Sequence, residues 1–366
     1  MNSINKSHSV LSPIKFFVFS LRKNFFTIVI IIFTLLLVVF STSNLNAAKN
    51  GLALWANNVI PALFPFFIAT ELLSHTNIIN VLGKCFNKFM RPIFNIPGIA
   101  SYPLIMGIVS GYPVGAKIVT ELRQKNMCTK VEGERMLAFT NNSGPLFILG
   151  TIGIGIFKDA TTGIILLITH FLAGLTVGFL FRFWKYKDTN ITFAKSYENK
   201  STTIKLSNIG EILTDSIKKS IINILNIGGF IVLFSVIISI ITETHFINLL
   251  YFIFKPLFEM LNINEAFSYG IINGFLELTN GLYQVASIPI KNISFTIIIC
   301  AFILGFGGIS VLLQVYSFVS KSDLSIKPYI LGKFLQGIIA AFYTFVIFHF
   351  FNFLSLDLSN IINIFA

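Results

Sequence analysis

The chain has 366 residues, of which 54% are hydrophobic and only 11% are charged, and its mean hydropathy is +0.80. Soluble domains carry about 25% charged residues, so this composition excludes a soluble enzyme, a disordered chain and an ordinary nucleic-acid binder. The net charge of +12 lies in short segments between apolar runs, where basic residues set the orientation of membrane helices, so it does not indicate nucleic-acid binding. Because several apolar runs reach the ~20 residues that a spanning helix needs, the sequence predicts an all-α, polytopic membrane protein whose first partner is the lipid bilayer.

The first apolar run, residues 25–40, is predicted to be a retained transmembrane helix. Charged residues precede it as in a signal peptide, but it lacks a small-residue cleavage site and is long for the apolar core of such a peptide. Residues 1–50 are therefore interpreted as a cytoplasmic N-terminus with this first helix. The later apolar stretches are 51–73, 99–113, 136–157, 160–184, 218–241, 246–258, 266–290, 293–319 and 329–354. They are divided by the polar segment 182–219, which has eight Lys/Arg and four Asp/Glu and is typical of a solvated linker.

Three short patterns recur in the same order on both sides of this linker. RPIF at 91–94 returns as KPLF at 255–258, GIVSGY at 107–112 as GIINGF at 270–275, and FILG at 147–150 as FILG at 302–305. Ordered self-similarity of this kind indicates an internal duplication. We predict a first copy at 51–184, a cytoplasmic linker at 185–214 and a second copy at 215–366.

The distribution of basic residues predicts that the two copies have opposite orientations. Residues 1–23 carry four Lys/Arg and no acid, which places the N-terminus in the cytoplasm and the start of the first copy outside. The second copy starts from the basic linker, which belongs inside. In this topology 23 of the 27 Lys/Arg fall on the cytoplasmic side. The fold class predicted is an inverted-topology repeat.

Two stretches are predicted to be re-entrant hairpins. Residues 98–116 lie between two basic segments that both belong inside, and they are too short to cross twice. By symmetry, 266–290 enters from outside. Non-helical backbone at membrane depth needs protein or water to satisfy its polar groups, so facing hairpins imply a polar central cavity. Residues 78–93 have the pattern of an interfacial amphipathic helix, whereas 246–258 could cross the membrane or lie at its surface.

Glu277, in the motif GFLELTNG at 274–281, is the most informative candidate site residue. An ionised group inside an apolar stretch costs at least a few kcal/mol unless it is paired. We favour a proton or sodium site, or an acceptor for a polar substrate, because Thr279 and Asn280 follow at once. The alternative is that Glu277 only caps a helix and holds the hairpin in shape.

A second motif, NNSGP at 141–145, lies in the middle of an apolar span. Two amides, a hydroxyl, a glycine and a proline are expected to unwind the helix, and secondary transporters bind substrates and ions at such discontinuous helices. The alternative is a proline kink whose polar groups are satisfied by neighbouring helices. The equivalent break in the second copy is expected at 305–310 (GFGGIS), followed by Gln314. The predicted substrate-binding residues are Ser110, Gly111, Asn141, Asn142, Ser143, Glu277, Thr279, Asn280, Ser310 and Gln314.

Other polar residues are assigned structural roles. His170, alone in an apolar span, is interpreted as a core histidine rather than a proton relay, Glu71 as an interfacial carboxylate, and Lys117 as a membrane-anchoring lysine. The three cysteines are far apart and form no CxxC, and the five histidines include no HExxH, so no metal site, disulfide framework or cofactor is predicted.

The motifs at 110–117, 141–150, 274–281 and 305–310 together resemble the YlbJ family of sporulation integral membrane proteins, which carry a nucleoside-recognition (Gate) domain. The resemblance covers the chain from about Phe25 and would make each copy a Gate-like repeat. It implies a multi-pass protein of the bacterial cell membrane, in the mother cell or the forespore, that is needed for spore formation.

More distantly, the order of elements is similar to that of the concentrative nucleoside transporters, in which the substrate lies between hairpin tips and unwound helices. This analogy implies a secondary transporter or exporter of a small polar solute, nucleoside-like or another metabolite, coupled to protons or sodium; a homo-oligomer is possible on this fold. The alternatives are a non-transporting scaffold or sensor of the spore membranes and, less favoured, an intramembrane enzyme. Fold analogy carries little weight for substrate identity.

Overall fold

The computed structural model describes residues 13–76, 78–186, 208–289 and 293–365, and these residues are almost entirely helical, without a β-strand. The N-terminal residues 1–12 and the linker residues 187–207, on which part of the predicted cytoplasmic charge falls, lie outside the described residues. The first half contains α1 (Pro13–Val39), α2 (Ser41–Leu54), the π-helix π1 (Trp55–Val59), α3 (Ile60–Ser74), α4 (Ile78–Phe94), a 3-10 turn (Gly98–Ala100), α5 (Ser101–Ser110), α6 (Val114–Gln124), α7 (Lys130–Phe139), the π-helix π2 (Leu146–Phe157) and α8 (Ala160–Phe181). The second half contains α9 (Ile209–Glu243), α10 (Phe246–Met260), α11 (Glu265–Leu276), α12 (Leu278–Ala286), α13 (Ile293–Phe306), α14 (Gly308–Val319) and α15 (Lys327–Phe365).

Several of these helices can cross a membrane. Four segments of the described chain are long and apolar enough to do so alone: Ala160–Phe181, Ile209–Glu243, Ile293–Val319 and Lys327–Phe350. Three bent pairs of helices meet the same criterion together, which raises the number of spans to as many as seven. The prediction of an all-α polytopic membrane protein is therefore confirmed.

The elements of the two halves follow the same order. Each half has a long helical segment (α2–π1–α3, α9), a shorter helix (α4, α10), a helix–turn–helix hairpin (α5–α6, α11–α12), an interrupted helix (α7–π2, α13–α14) and a final long helix (α8, α15). Pro92 and Pro256 lie at matching points near the ends of α4 and α10, and the residues two positions later, Phe94 and Phe258, are both buried. The repeat is thus visible in structure as well as in sequence.

Equivalent helices of the two halves run in opposite directions. Along the packed pair formed by α2–α3 and α9, Gly51 lies against Ser235, the Trp55 indole donates to the carbonyl of Ile224 at 3.0 Å, and His75 lies 3.7 Å from Asp215. Residue numbers rise on one side while they fall on the other, so these helices are antiparallel. This is the geometry of an inverted-topology repeat.

Contacts between the halves are also reciprocal. The second hairpin arm of each half packs on the second part of the other half's interrupted helix, α6 on α14 and α12 on π2. The first part of each interrupted helix packs on the final helix of the other half, α7 on α15 and α13 on α8. Two units related by a two-fold axis make contacts in such reciprocal pairs, so the hairpin tips and helix breaks converge at the centre of the molecule.

The shorter helices α4 and α10 turn away from the hairpins that follow them. The bend between the described part of α4 and the first hairpin is 96°, and the bend between α10 and α11 is 119°. Met90 of α4 is buried, whereas Val81 and Phe89 are exposed. A helix with a basic face and exposed apolar side chains, nearly perpendicular to its hairpin, suits the membrane interface. Its equivalence to α4 favours the same position for α10.

One sequence match does not correspond to a structural equivalence. Residues 147–150 lie in π2, after the break of the first interrupted helix, whereas 302–305 lie in α13, before the break of the second. Membrane helices draw on few residue types, so a short match of Phe, Ile, Leu and Gly arises readily by composition. The duplication depends on the other two matches and on the order of the elements.

The first helix leaves the bundle sharply. The segments Asn24–Val39 and Ser41–Val59 meet at 97°, and α2 then packs along α9. Between residues 25 and 39 most side chains of α1 are exposed apolar groups. Whether 25–40 crosses the bilayer by itself stays a prediction.

Candidate functional site

The first hairpin tip is formed by Gly111, Tyr112 and Pro113, between α5 and α6. The hairpin arms straddle the backbone of the first helix break: a Cβ atom added at Gly107 or Gly115 would lie 1.8 or 2.2 Å from the carbonyl oxygen of Thr140. Only glycine permits so close an approach of two backbones. These glycines therefore fix the hairpin tip against the break.

The first break covers residues 140–144, and π2 begins immediately after Pro145. The predicted unwinding of the NNSGP motif is thus present. In the second half a single residue, Gly307, separates α13 from α14, with φ of 84° followed by 81° at Gly308. Left-handed backbone at two successive positions needs glycine. The second break is therefore formed by the backbone conformation of two glycines, whereas the first is formed by a segment with polar side chains.

Both hairpin tips, the first helix break and α14, which follows the second break, line one cavity of about 60 Å³. Its polar lining comes from Ser143 of the first break, Glu277 and Thr279 of the second hairpin, and Gln314 of α14. The remaining lining residues are Val59, Leu63, Gly111, Tyr112, Gly144, Phe147, Ile227, Ile231, Leu278 and Val311. A largely apolar cavity with a few converging polar groups is the usual form of a small-molecule site.

Glu277 caps a helix and also lines the cavity, while its role as an ion or substrate site stays a prediction. It is only 3% exposed, it is the N-cap of α12, and its Oε2 accepts the amide of Asn280 at 2.7 Å. The amide and hydroxyl of Thr279 also face this carboxylate. The same side chain lines the cavity, and the described residues place no ion-pair partner beside it. The capping bonds hold a carboxylate at the cavity wall.

The structure places five of the ten predicted site residues at the cavity and the other five around it. At the cavity are Gly111, Ser143, Glu277, Thr279 and Gln314. The hydroxyl of Ser110 lies 2.6 Å from that of Thr70, and Ser310 accepts from Gln314 at 3.5 Å. Asn280 contributes its amide to Glu277. The side chains of Asn141 and Asn142 are hydrogen-bonded away from the cavity, and substrate binding by them stays a prediction.

Sequence reasoning missed the partners of Asn141 and Asn142, which are three residues at helical spacing on α15. We call Tyr329, Lys333 and Gln336 the α15 polar stripe. Tyr329 and Gln336 hydrogen-bond the side chains of Asn141 and Asn142 at 3.2 and 2.9 Å, and the Lys333 ammonium donates to the carbonyl of Asn141 at 2.7 Å. A tyrosine, a lysine and a glutamine at i, i+4 and i+7 lie on one face of a helix, and this pattern in an apolar span could have indicated a polar contact in the interior.

The position of Lys333 differs from the one that the distribution of basic residues predicted. The positive-inside count assigned this lysine to the cytoplasmic side, but it is 1% exposed within α15. The lysine does not anchor the protein at the membrane surface. It belongs to the interior, next to the first hairpin tip, with its ammonium 4.9 Å from the centre of the Tyr112 ring.

Of the other residues assigned from sequence, three have more specific partners than expected. Lys117 is hydrogen-bonded and ion-paired to Glu71, which is buried, so these residues join α6 to α3. His170 accepts the amide of Ser143 through Nε2 at 3.1 Å, while its buried Nδ1 makes no hydrogen bond within the described ranges. His170 therefore positions the first break.

A second cavity of about 270 Å³ adjoins the central one. Ile227 and Gln314 line both. The second cavity extends past Asn226 and Ser317 to Lys321, at the end of α14. It forms a vestibule between the central cavity and the face of the molecule that holds the α14–α15 turn. The described part of the chain offers no cluster of three His, Cys, Asp or Glu side chains that could hold a metal ion.

An inverted repeat whose hairpin tips line one cavity defines a polytopic membrane protein with a central cavity. The chain is 35% identical over 317 residues to the sporulation integral membrane protein YlbJ of Bacillus subtilis (strain 168), over 83% of this chain and 78% of the relative. It belongs to the YlbJ family, as the sequence motifs indicated. Residues 56–185 match the Gate family, described as nucleoside recognition. No solved structure matches the chain significantly.

Proposed function

We propose that this protein is a secondary transporter of a small polar solute, which binds in the central cavity. The observation that carries the proposal is the convergence of three interruptions, both hairpin tips and the first helix break, on one cavity that contains the carboxylate of Glu277. Secondary transporters place discontinuous helices at the interface of inverted repeats, where half-helix ends and free backbone groups contact substrate and ions.

The lining of the cavity suggests the chemistry of the solute. Tyr112 and Phe147 offer aromatic surfaces to a flat ring, while Glu277 and Gln314 offer hydrogen-bond acceptors to hydroxyl or amino groups. A nucleoside combines these features, and the name of the Gate family is consistent with it. Another small polar metabolite with an apolar face would satisfy the same groups.

Glu277 is the proposed coupling residue. Its carboxylate faces the cavity and has no ion-pair partner in the described ranges, so a proton or a sodium ion can neutralise it together with solute binding. Neutralising a charge at membrane depth removes a cost of at least a few kcal/mol and so favours movement of one half against the other.

The vestibule supplies the access route. It runs from Gln314 towards Lys321, in a turn that the positive-inside rule places in the cytoplasm. The described conformation is therefore proposed to be inward-facing, in the bacterial cell membrane of a spore-forming cell, where the solute exchanges with the mother cell or the forespore.

The test uses purified protein and its E277Q variant. Thermal shifts against uridine, adenosine, amino acids and dicarboxylates identify a ligand, since binding to the folded state raises Tm. Radiolabelled ligand is then followed into proteoliposomes under proton or sodium gradients. We expect E277Q to keep the fold, because the amide still accepts from Asn280, and to lose gradient-driven accumulation.

The matched control is E265Q, which changes an exposed carboxylate in the first turn of α11 and should transport normally. Normal accumulation by E277Q would exclude the coupling role. The absence of both binding and flux in the wild-type protein across the panel, with sporulation unaffected by cavity substitutions, would instead favour a scaffold or sensor.

A further inference from the structure

The ammonium of Lys333 lies in the interior of the molecule without a carboxylate partner among the described residues. It is 1% exposed and it makes two hydrogen bonds of 2.7 Å, to the carbonyl oxygen of Asn141 and to Oε1 of Gln336. A lysine at membrane depth is costly and is found where it serves a function. Lys333 does not line the central cavity, although the Tyr112 side chain contacts both the cavity and the lysine.

The surroundings of the ammonium match a cation in number and kind. Lysine has three N–H donors, and the site presents three acceptors: the oxygens of Asn141 and Gln336 and the face of the Tyr112 ring. An aromatic face within about 6 Å attracts a cation.

The orientation of Gln336 is fixed by its other bonds. Its Nε2 donates to Oδ1 of Asn142 at 2.9 Å and to the carbonyl of His170 at 3.1 Å. This arrangement turns Oε1 towards the lysine. The acceptors are therefore held in place by neighbouring helices and do not depend on Lys333 for their positions.

One of these acceptors belongs to the unwound end of a half-helix. Asn141 lies two residues after Phe139, the last residue of α7, in the segment that no longer makes helical hydrogen bonds. Secondary transporters coordinate their coupling cations with such freed carbonyls. We propose that Asn141, Gln336 and Tyr112 form a binding site for a monovalent cation, which the protein's own Lys333 ammonium occupies.

A tethered cation has a direct consequence for the coupling of transport to an ion. This consequence rests on the proposed function, but the cation site does not. With the position filled by Lys333, sodium is not required there. The ammonium also joins α15 of the second half to the break and the hairpin tip of the first half. Movement of one half against the other has to preserve or exchange these bonds.

The test is chemical rescue of K333A. Removing the side chain leaves the three acceptors around a small space, which methylammonium chloride should fill. We expect the Tm of K333A to lie below that of the wild-type protein and to rise by about 2 °C at methylammonium concentrations ten times the dissociation constant. The wild-type protein should show no such rise, and N-methyl-D-glucamine chloride, whose cation is too large, should rescue neither.

K333M is the matched control, because its side chain fills the space without supplying a donor. It should be less stable than the wild-type protein and insensitive to methylammonium. Equal responses of K333A to both chlorides would overturn the proposal. A K333M variant as stable as the wild-type protein would also overturn the proposal, since that is the usual outcome when a buried charge is merely tolerated. If K333A does not fold, the stability of K333M relative to the wild-type protein decides the test. Neither measurement involves transport, so their failure is distinct from failure of the transporter proposal.

Discussion

At the scale of single residues, the close approach of the first hairpin to the first break gives the sharpest expectation. In G115A the added methyl group would lie 2.2 Å from the backbone oxygen of Thr140, which cannot move without shifting the break. Overpacking of this kind lowers the free energy of unfolding by about 1–3 kcal/mol. We expect a clear fall in Tm in detergent and a weakened central site.

Gly229 provides the control for this substitution. It is an exposed glycine in α9 with no atom within 4 Å of an added Cβ, so G229A should be neutral or slightly stabilising, as alanine is the better helix former by up to about 1 kcal/mol. If G115A and G229A had the same Tm, the close backbone contact would be contradicted.

Single residues also show how far sequence reasoning reaches. Glu277 was identifiable because one carboxylate among apolar residues has few structural explanations. The direction of the Asn141 and Asn142 side chains was not, because a break motif does not say which neighbouring helix faces it. Lys333 was readable from its position inside an apolar span, but counting it with the cytoplasmic charges concealed it.

At the scale of elements, the hairpins and interrupted helices follow from glycine, proline and polar residues placed inside apolar runs. Such residues weaken helical hydrogen bonding at a predictable point, so the interruptions at 111–113 and 140–144 agree with their motifs. The second interruption is narrower than its motif suggested, a single glycine at 307, because the left-handed conformation of two glycines turns the chain without unwinding it.

An ion pair between elements of the two halves predicts a pH dependence. Nε and Nη2 of Arg123, near the end of α6, donate to the two carboxylate oxygens of Asp323, in the turn before α15, at 2.8 and 2.9 Å. The hydrogen bonds from Arg123 and then its charge hold the pKa of Asp323 below its ordinary value, despite slight burial. The carboxylate is half-exposed, so the stabilisation is roughly 0.2–1 kcal/mol.

The sign of the effect follows from the lowered pKa. The contribution of the pair is complete above the unfolded-state pKa of about 3.9 and is lost as the pH falls through the lower pKa of the folded state. We expect D323N to lower Tm at pH 7, and the difference from the wild-type protein to shrink as the pH falls below the unfolded-state pKa and to vanish below the folded-state pKa. A double-mutant cycle with R123A measures the coupling, and a cycle energy of zero at pH 7 would show that the pair contributes nothing.

At the scale of the whole molecule, the antiparallel packing of α2–α3 on α9 fixes which residues share a face. Lys49 lies near the Ser235 end of this pair and Lys218 near the opposite end. In a C85S background, which removes the exposed native thiol while Cys128 and Cys300 remain buried, K218C should react with an impermeant maleimide only in inside-out vesicles. K49C should react only in right-side-out vesicles.

The two cysteine variants serve as each other's control. If K218C reacted only in right-side-out vesicles and K49C only in inside-out vesicles, the protein would have the opposite membrane orientation with the same fold. Reaction of both from one side would contradict the inverted repeat itself. Sequence supports this sidedness through the basic residues alone, and the directions of the helices come from the tertiary contacts.

The bond between Asn141 and Lys333 spans 192 residues, and this separation governs how the protein is made. While a ribosome is still synthesising α9 to α14, the first half already sits in the bilayer with an uncovered peptide group at its core. Unsatisfied backbone in hydrocarbon costs several kcal/mol, so the nascent chain must keep that segment hydrated or shielded by the insertion machinery. Only the arrival of the last helix completes the structure, and chains terminated before it should be substrates for membrane proteases.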